Sequence, residues 1–422
     1  MSERPGQGKT IFQILGPGLI TGASDDDPSG IGSYSQAGAQ FGLGMLWTML
    51  FTFPLMSAIQ EIAARIGRTS GHGIACNLRR HYPRSLSYPI VVLVAIANIL
   101  NLGADLGAMA ASLHMFVPGP VLLFVAIFAA MCIALPALLS YRKYQAILKW
   151  LTPVLFAYVI TAFVVHVPWG EALKRTVTPS LRFDANYLSI FVAVLGTTIS
   201  PYLFFWQAAE EAEEVHDDKQ ERALIRDPSH GPEQFRRIKI DTYIGMFFSN
   251  AVAWFIMLAS AATLFVSGHR NIQSAQDAAM ALRPLAGQFA FLLFAAGIIG
   301  TGLLAVPVLA GSAAYAVGEQ SKQRVGINYS PKRAPFFYFV FTMATVIGGA
   351  LNFLKINPIQ ALVWSAMING VVAVPVMVTM MLMIRNPRVM GPMANEGVWL
   401  YRIGWLATAV MLAAVIAMFC TI

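Results

Sequence analysis

Charge is scarce in this chain. Only 12% of its 422 residues are Asp, Glu, Lys or Arg, about half the share of a soluble domain, while 57% are hydrophobic. A soluble fold of this length would have too little polar surface to cover its core. Cysteine is scarcer still. Cys76, Cys132 and Cys420 stand far apart without a CxxC or similar spacing, which argues against a disulfide framework and a zinc-type site. The histidines fall mostly in polar connections and show no ligand spacing. No linker rich in Pro, Gly or Ser divides the chain, so a single membrane domain over residues 1–422 is expected. There is no nucleophile–base pair, no HExxH and no cofactor motif, so no enzyme activity and no cofactor are expected. Met1-Ser2-Glu3-Arg4 leads into the first apolar run, and no small-residue cleavage site of a signal peptide follows it.

Long apolar runs are what the chain has in excess. At ~20 residues per span, eleven helices are predicted, making an all-α integral membrane protein. They cover residues 11–36, 42–66, 86–112, 117–139, 146–168, 187–212, 240–267, 286–317, 335–354, 358–384 and 400–421. With the N-terminus inside, 23 of the 29 Lys and Arg residues fall in inner connections and six in outer ones. That split follows the positive-inside rule. It assigns the net charge of +8 to the inner lipid face rather than to nucleic acid. The expectation is a multi-pass protein of the cell inner membrane, cytoplasmic at its N-terminus, with the lipid bilayer around it and no obligatory protein partner. Glu61 and Arg65, four residues apart, are predicted to pair at an interface. Glu210 to Asp241 reads as an inner loop, with Glu210, Glu211, Glu213 and Glu214 as a solvated face.

Against this apolar background Asp25-Asp26-Asp27-Pro28-Ser29-Gly30 stands out, because it interrupts the first span. Each carboxylate at bilayer depth costs at least ~2.5 kcal/mol. Pro and Gly directly after the acids break a helix and free backbone carbonyls. The comparable break in the sixth span is Thr197-Thr198-Ile199-Ser200-Pro201-Tyr202. Two interrupted helices at matching positions, five spans apart, point to inverted repeats with a site at the membrane midplane. Residues 11–168 and 187–384 would be the repeats, and the helix at 400–421 an addition. A cation site is the chemistry that buried acids at a broken helix suggest. Asp105, flanked by Gly103 and Gly107, is a further acid buried in a span.

These segments resemble the NRAMP family of divalent metal transporters, and the resemblance covers nearly the whole chain. It is carried by Gly16-Pro17-Gly18, Asp27-Pro28-Ser29-Gly30 and Gln36-Ala37-Gly38-Ala39-Gln40-Phe41-Gly42. The family patterns are Gly-Pro-Gly, Asp-Pro-Gly-Asn and Gln-Ala-Gly-x-x-Tyr/Phe-Gly. The implied fold is the LeuT-type inverted repeat of five plus five helices, here with one extra. The resemblance places the metal on Asp27 and on the broken sixth helix, where the family has Gly-Ala-x-x-Met-Pro-His and this chain has Gly196-Thr197-Thr198-Ile199-Ser200-Pro201-Tyr202. Gly30 stands where the family has a metal-binding Asn, and Ser200 where it has Met. Tyr202 and Gln207 stand where it has histidines. Asp105 matches the first acid of helix 3, whereas the second is Ala108. Asn250 is the match to the Asn that supports the metal-binding Asp. These departures look like the divergent NRAMP-related magnesium transporters.

Their chemistry points the same way. A thioether favours softer transition ions, so its loss removes discrimination against Mg²⁺. Mg²⁺ keeps several waters and suits a wide site with one or two carboxylates. The expectation is uptake of partly hydrated Mg²⁺, with Mn²⁺ also passing. The ion would be held by Asp27, the carbonyls of Gly30 and Thr197 and the hydroxyl of Ser200. Asp25, Asp26, Asn250, Asp105, Tyr202 and Gln207 would support it or line its path. With few protonatable groups in sequence, weak or no proton coupling is expected. A proton-coupled Mn²⁺/Fe²⁺ importer is the alternative. An amine or amino-acid transporter of the same fold fits less well, since the acids would repel a substrate carboxylate.

Overall fold

In the computed structural model, residues 17–138, 152–217 and 222–421 are described. Residues 11–16 of the first predicted span and 146–151 of the fifth lie outside them. Helices occupy every other predicted position. The first span is split into α1 (Pro17–Asp25) and α2 (Pro28–Phe41). The second is α3 (Trp47–Ser70), after which α4 (Ile74–His81) forms a short connection. The third and fourth are α5 (Arg84–His114) and α6 (Val121–Leu138), and α7 (Phe156–Val164) is the described part of the fifth. Another short helix, α8 (Trp169–Val177), precedes the sixth span, itself split into α9 (Ala185–Thr198) and α10 (Pro201–Asp217). The remaining five are α11 (Gly231–Ser260), α12 (Ala290–Gln320), α13 (Pro335–Ala350), α14 (Pro358–Met383) and α15 (Val398–Thr421).

Among the described residues, eight helices are long and apolar enough to cross a membrane. A further pair, Pro28–Met45 and Trp47–Ser70, passes only when joined, across a bend of 109°. The predicted eleven exceed this count for a physical reason. Breaks shorten the halves of the first span, and the fifth is described only in part.

Both breaks have local causes. Asp27 is extended (φ −68°, ψ 170°) and caps α2 with its side chain, while Pro28 takes the first helical position, where no N–H is needed. Ile199 leaves helical geometry at φ −119°, ψ 65°, and Pro201 restarts the helix. The sixth span is the most enclosed, with 94% of its most apolar window buried, against 33% for α6 at the edge. Glycine lets the broken halves approach their neighbours closely. A Cβ on Gly22 of α1 would collide with the backbone of Gly245 in α11, and one on Gly196 of α9 with the backbone of Ala366 and Gly370 in α14.

One predicted loop is largely helical. Across Glu210–Asp241, α10 continues to Asp217 and α11 starts at Gly231, nine residues ahead of the predicted 240. Four charged residues there, Glu211, Glu213, Glu214 and Arg237, are held by partners in other elements. The predicted Glu61–Arg65 pair is present at 2.5 Å, with the Arg65 guanidinium over the Phe235 ring.

Candidate metal site

Asp27 sits in the gap between α1 and α2 and is fully buried. Its Oδ1 accepts from the Gly30 N–H and from the Ser29 hydroxyl, both at 2.7 Å. Its Oδ2 accepts from Asn101 Nδ2 of α5 at 2.9 Å. A carboxylate oxygen has about two lone-pair sites, so Oδ1 is filled and Oδ2 keeps one. Asp27 therefore has a single unused acceptor position.

The sixth span meets this position from the opposite side. An ordinary helix would bond the Thr197 carbonyl to the N–H of residue 201, but Pro201 has none. Ser200 Oγ donates instead to the Thr197 carbonyl at 2.9 Å and to that of Gly196 at 2.7 Å. Its proton is thereby turned toward the helix end, leaving the oxygen's lone pairs free. Pro28 has the same effect on Ser24 in the first span, and the Ser24 carbonyl accepts from the Tyr202 hydroxyl at 2.9 Å. Tyr202 thus joins one break to the other. A Cβ on Gly30 would lie 3.2 Å from Thr197 Oγ1 and 3.3 Å from the Asp25 carbonyl, which measures how closely the two breaks approach.

The other predicted residues divide between this centre and its surroundings. Gly30 belongs to the first turn of α2, where it gives its N–H to Asp27 and its carbonyl runs along the helix. The expected carbonyl ligand at Gly30 is thus replaced by a backbone donor that orients Asp27. Asp25 and Asp26 turn toward α11. The Ser249 hydroxyl donates to Asp25 Oδ2 at 2.6 Å and lies 3.3 Å from Asp26 Oδ1. Asn250, expected to support Asp27, donates instead to the Met49 carbonyl at 2.7 Å; its neighbour Ser249 reaches the acids. Gln207 accepts from Gln60 at 2.6 Å and donates to Thr242 at 3.0 Å, one to two turns from the break. Asp105 approaches the centre through Asn101 Nδ2, at 3.4 Å.

Asn101, Asn369, Ser29 and Ser249 were missed by the sequence reading. For Asn101 a signal existed: its spacing of four from Asp105 puts both on one face of α5. The serines are common packing residues in membrane bundles and gave none.

Among the described residues, no three His, Cys, Asp or Glu side chains are grouped so as to hold a metal ion. A cation at the breaks would meet one carboxylate and neutral oxygens, the donor class that suits hard ions.

Away from this centre the ends of α3, α10, α11 and α12 are tied together. Glu211 is buried and takes Arg237 at 2.5 Å, with Arg68 at 3.9 Å. Glu214 lies 3.5 Å from Arg68 and 3.4 Å from Arg237. Glu213 accepts from the Tyr315 hydroxyl, the Ile327 N–H and Asn328. The solvated face expected for these glutamates is in fact a junction of α10 with α3, α11, α12 and the segment after α12. Glu319 at the end of α12 accepts from the N–H groups of Gly73 and Cys76 at 3.0 and 2.9 Å, capping α4.

The fold has known counterparts. The Eremococcus coleocola manganese transporter, in complex with an aromatic bis-isothiourea substituted compound, superposes with a TM-score of 0.75 at 18% identity, over 98% of this chain and 89% of that one. MhsT in complex with L-phenylalanine gives 0.61 at 12% identity, over 99% and 100%. Both are similar in fold. In sequence, the divalent metal cation transporter MntH of Klebsiella pneumoniae is 25% identical over 412 residues, 96% of this chain and 93% of that protein. The protein of the same name from Yersinia pestis is 27% identical over 309 residues, 72% and 71% of the two chains. The family model described as natural resistance-associated macrophage protein-like matches residues 18–421, from the first turn of α1 to the end of α15. The chain belongs to the Nramp family.

Proposed function

We propose that this Nramp protein takes up divalent cations, Mg²⁺ and also Mn²⁺, as partly hydrated ions with weak or no proton coupling. The observation that carries this is the all-oxygen character of the paired breaks, with Ser200 in place of a thioether. Asp27 Oδ2, the Thr197 carbonyl and Ser200 Oγ would hold the ion, with Gly30 orienting Asp27. Such a set leaves most coordination positions to water, which Mg²⁺ gives up reluctantly. Mn²⁺ accepts the same ligands, and the similar proteins named for manganese or divalent metal cations support it as shared cargo. Tyr202 and Gln207 are not proton carriers near neutral pH, which leaves a relay across the membrane with few steps.

The proposed frame is a cytoplasmic N-terminus, repeats over 11–168 and 187–384, and an added helix at 400–421. Asp25, Asp26 and Asp105 would shape the field along the path. In proteoliposomes with internal Mg²⁺ and pH dyes, saturable Mg²⁺ influx is expected without matching acidification. Asp27→Ala should abolish it, and Ser200→Met should shift preference from Mg²⁺ toward Mn²⁺. Normal Mg²⁺ influx through Asp27→Ala would overturn the site. Mn²⁺ influx with stoichiometric acidification and no Mg²⁺ signal would replace this reading by the proton-coupled one.

A further inference from the structure

We propose that Asn101 is a positioning residue that sets how Asp27 meets the ion, and thereby which divalent ions are accepted. This rests on the reading that Asp27 holds the ion. Asn101 and Asp105 lie one turn apart on the same face of α5, and both are wholly buried. The Asn101 amide nitrogen is flanked by two carboxylate oxygens, Asp27 Oδ2 at 2.9 Å and Asp105 Oδ2 at 3.4 Å. Its oxygen accepts from Asn369 Nδ2 of α14 at 3.3 Å. Ionised carboxylates only accept, so the NH₂ group must face them and the orientation of the amide follows from its surroundings. A chain of hydrogen bonds therefore runs from α14 through α5 to the carboxylate at the break.

The consequence is geometric. With Oδ1 filled by Ser29 and Gly30 and half of Oδ2 filled by Asn101, Asp27 can offer an ion one oxygen and not two. A Ca²⁺ site gathers six to eight oxygens and uses carboxylates in the two-oxygen mode as readily as the one-oxygen mode, whereas Mg²⁺ needs near-octahedral single contacts. Asn101 thus works against Ca²⁺ by fixing the rotation of the Asp27 carboxylate, so that Oδ1 stays turned to Ser29 and Gly30 and only Oδ2 faces the ion. An amide with both N–H bonds committed to Asp27 and Asp105 also keeps the two carboxylates apart.

The test is uptake of Mg²⁺, Mn²⁺ and Ca²⁺ by the full chain in proteoliposomes, titrated for Asn101→Ala, Asn101→Asp, Asn369→Ala and Asp27→Ala. Mn²⁺ affinity of each detergent-solubilised protein is measured by calorimetry. Loss of a hydrogen bond that orients a metal ligand costs about 10- to 100-fold in affinity. Both Asn101 variants are expected to raise KM for Mg²⁺ and Mn²⁺ by that order, with kcat changing less and the Ca²⁺ to Mn²⁺ uptake ratio rising. Asn369→Ala should move KM and the ratio in the same direction by less. Asn101→Asp keeps the volume and removes the donor, so it decides the matter if the alanine variant fails to fold. Unchanged KM and selectivity would overturn the proposal. So would an equal loss of kcat for all three ions, the mark of a purely structural role. Normal transport by Asp27→Ala would instead overturn the reading of the site itself.

Discussion

A single missing N–H has the same effect at two places in this chain. Pro28 and Pro201 each release the carbonyl four residues earlier, and the structure answers with a hydroxyl: Tyr202 at Ser24, Ser200 at Thr197. That explains why a proline, rather than any helix breaker, belongs at these positions. Pro201→Ala would restore an N–H able to bond the Thr197 carbonyl and withdraw it from the ion. Pro201 opens α10, a position where proline is well tolerated but not required, so its replacement leaves the helix itself intact. Mg²⁺ uptake is therefore expected to fall while the melting temperature holds or rises. A loss of both together would show that the break is needed for folding instead. Asp27 was legible in the sequence, because an acid followed by proline inside an apolar run has few other uses. Its hydrogen-bond partners were not, since Asn101 lies 74 residues away and reaches it only when α5 packs beside the break.

Among the elements, α4 shows how the charged helix ends are tied together. It is eight residues long and ends in Arg79, Arg80 and His81, and its N-terminal N–H groups are capped by Glu319 from the far end of α12. His72, just before it, has its Nε2 2.7 Å from Arg80 Nη1. Arginine can only donate, so the imidazole there is neutral. Burial, then Arg80, His216, Arg226 and Arg79, hold the His72 pKa down to about 4. The unfolded chain, with an ordinary histidine pKa near 6.5, binds the proton first. The contribution of neutral His72 to stability is thus fully present above about pH 6.5 and is lost as pH falls toward 4. His72→Gln is expected to flatten the decline of melting temperature between pH 6.5 and 4, and an unchanged slope would contradict it. The Glu61–Arg65 pair was readable because both partners share one helix. The ties of Glu211, Glu213 and Glu214 were not, because each partner lies on a different helix.

At the scale of the whole molecule, three consecutive acids stand at the first break, while the basic residues fall mostly in alternate connections. The 23-to-6 division of Lys and Arg predicts that the connection before α9 faces outward and the one before α13 inward. With the exposed Cys420 replaced by Ser, Arg182→Cys should react with a membrane-impermeant maleimide in right-side-out vesicles, and Lys332→Cys only after permeabilisation. The reverse pattern would invert the topology.

Hydropathy, charge placement and two proline breaks determined by themselves that the chain is helical and membrane-spanning, and where its first and sixth spans break. These are local properties, written in the order of residues and in the price of burying a charge. Which side chains hold Asp27, which carbonyl each hydroxyl fills, and which way Asp25 and Asp26 turn were decided only by tertiary structure. Those contacts join residues up to 268 positions apart, as Asn101 and Asn369 are. No pattern along one helix specifies the face that a distant helix presents to it.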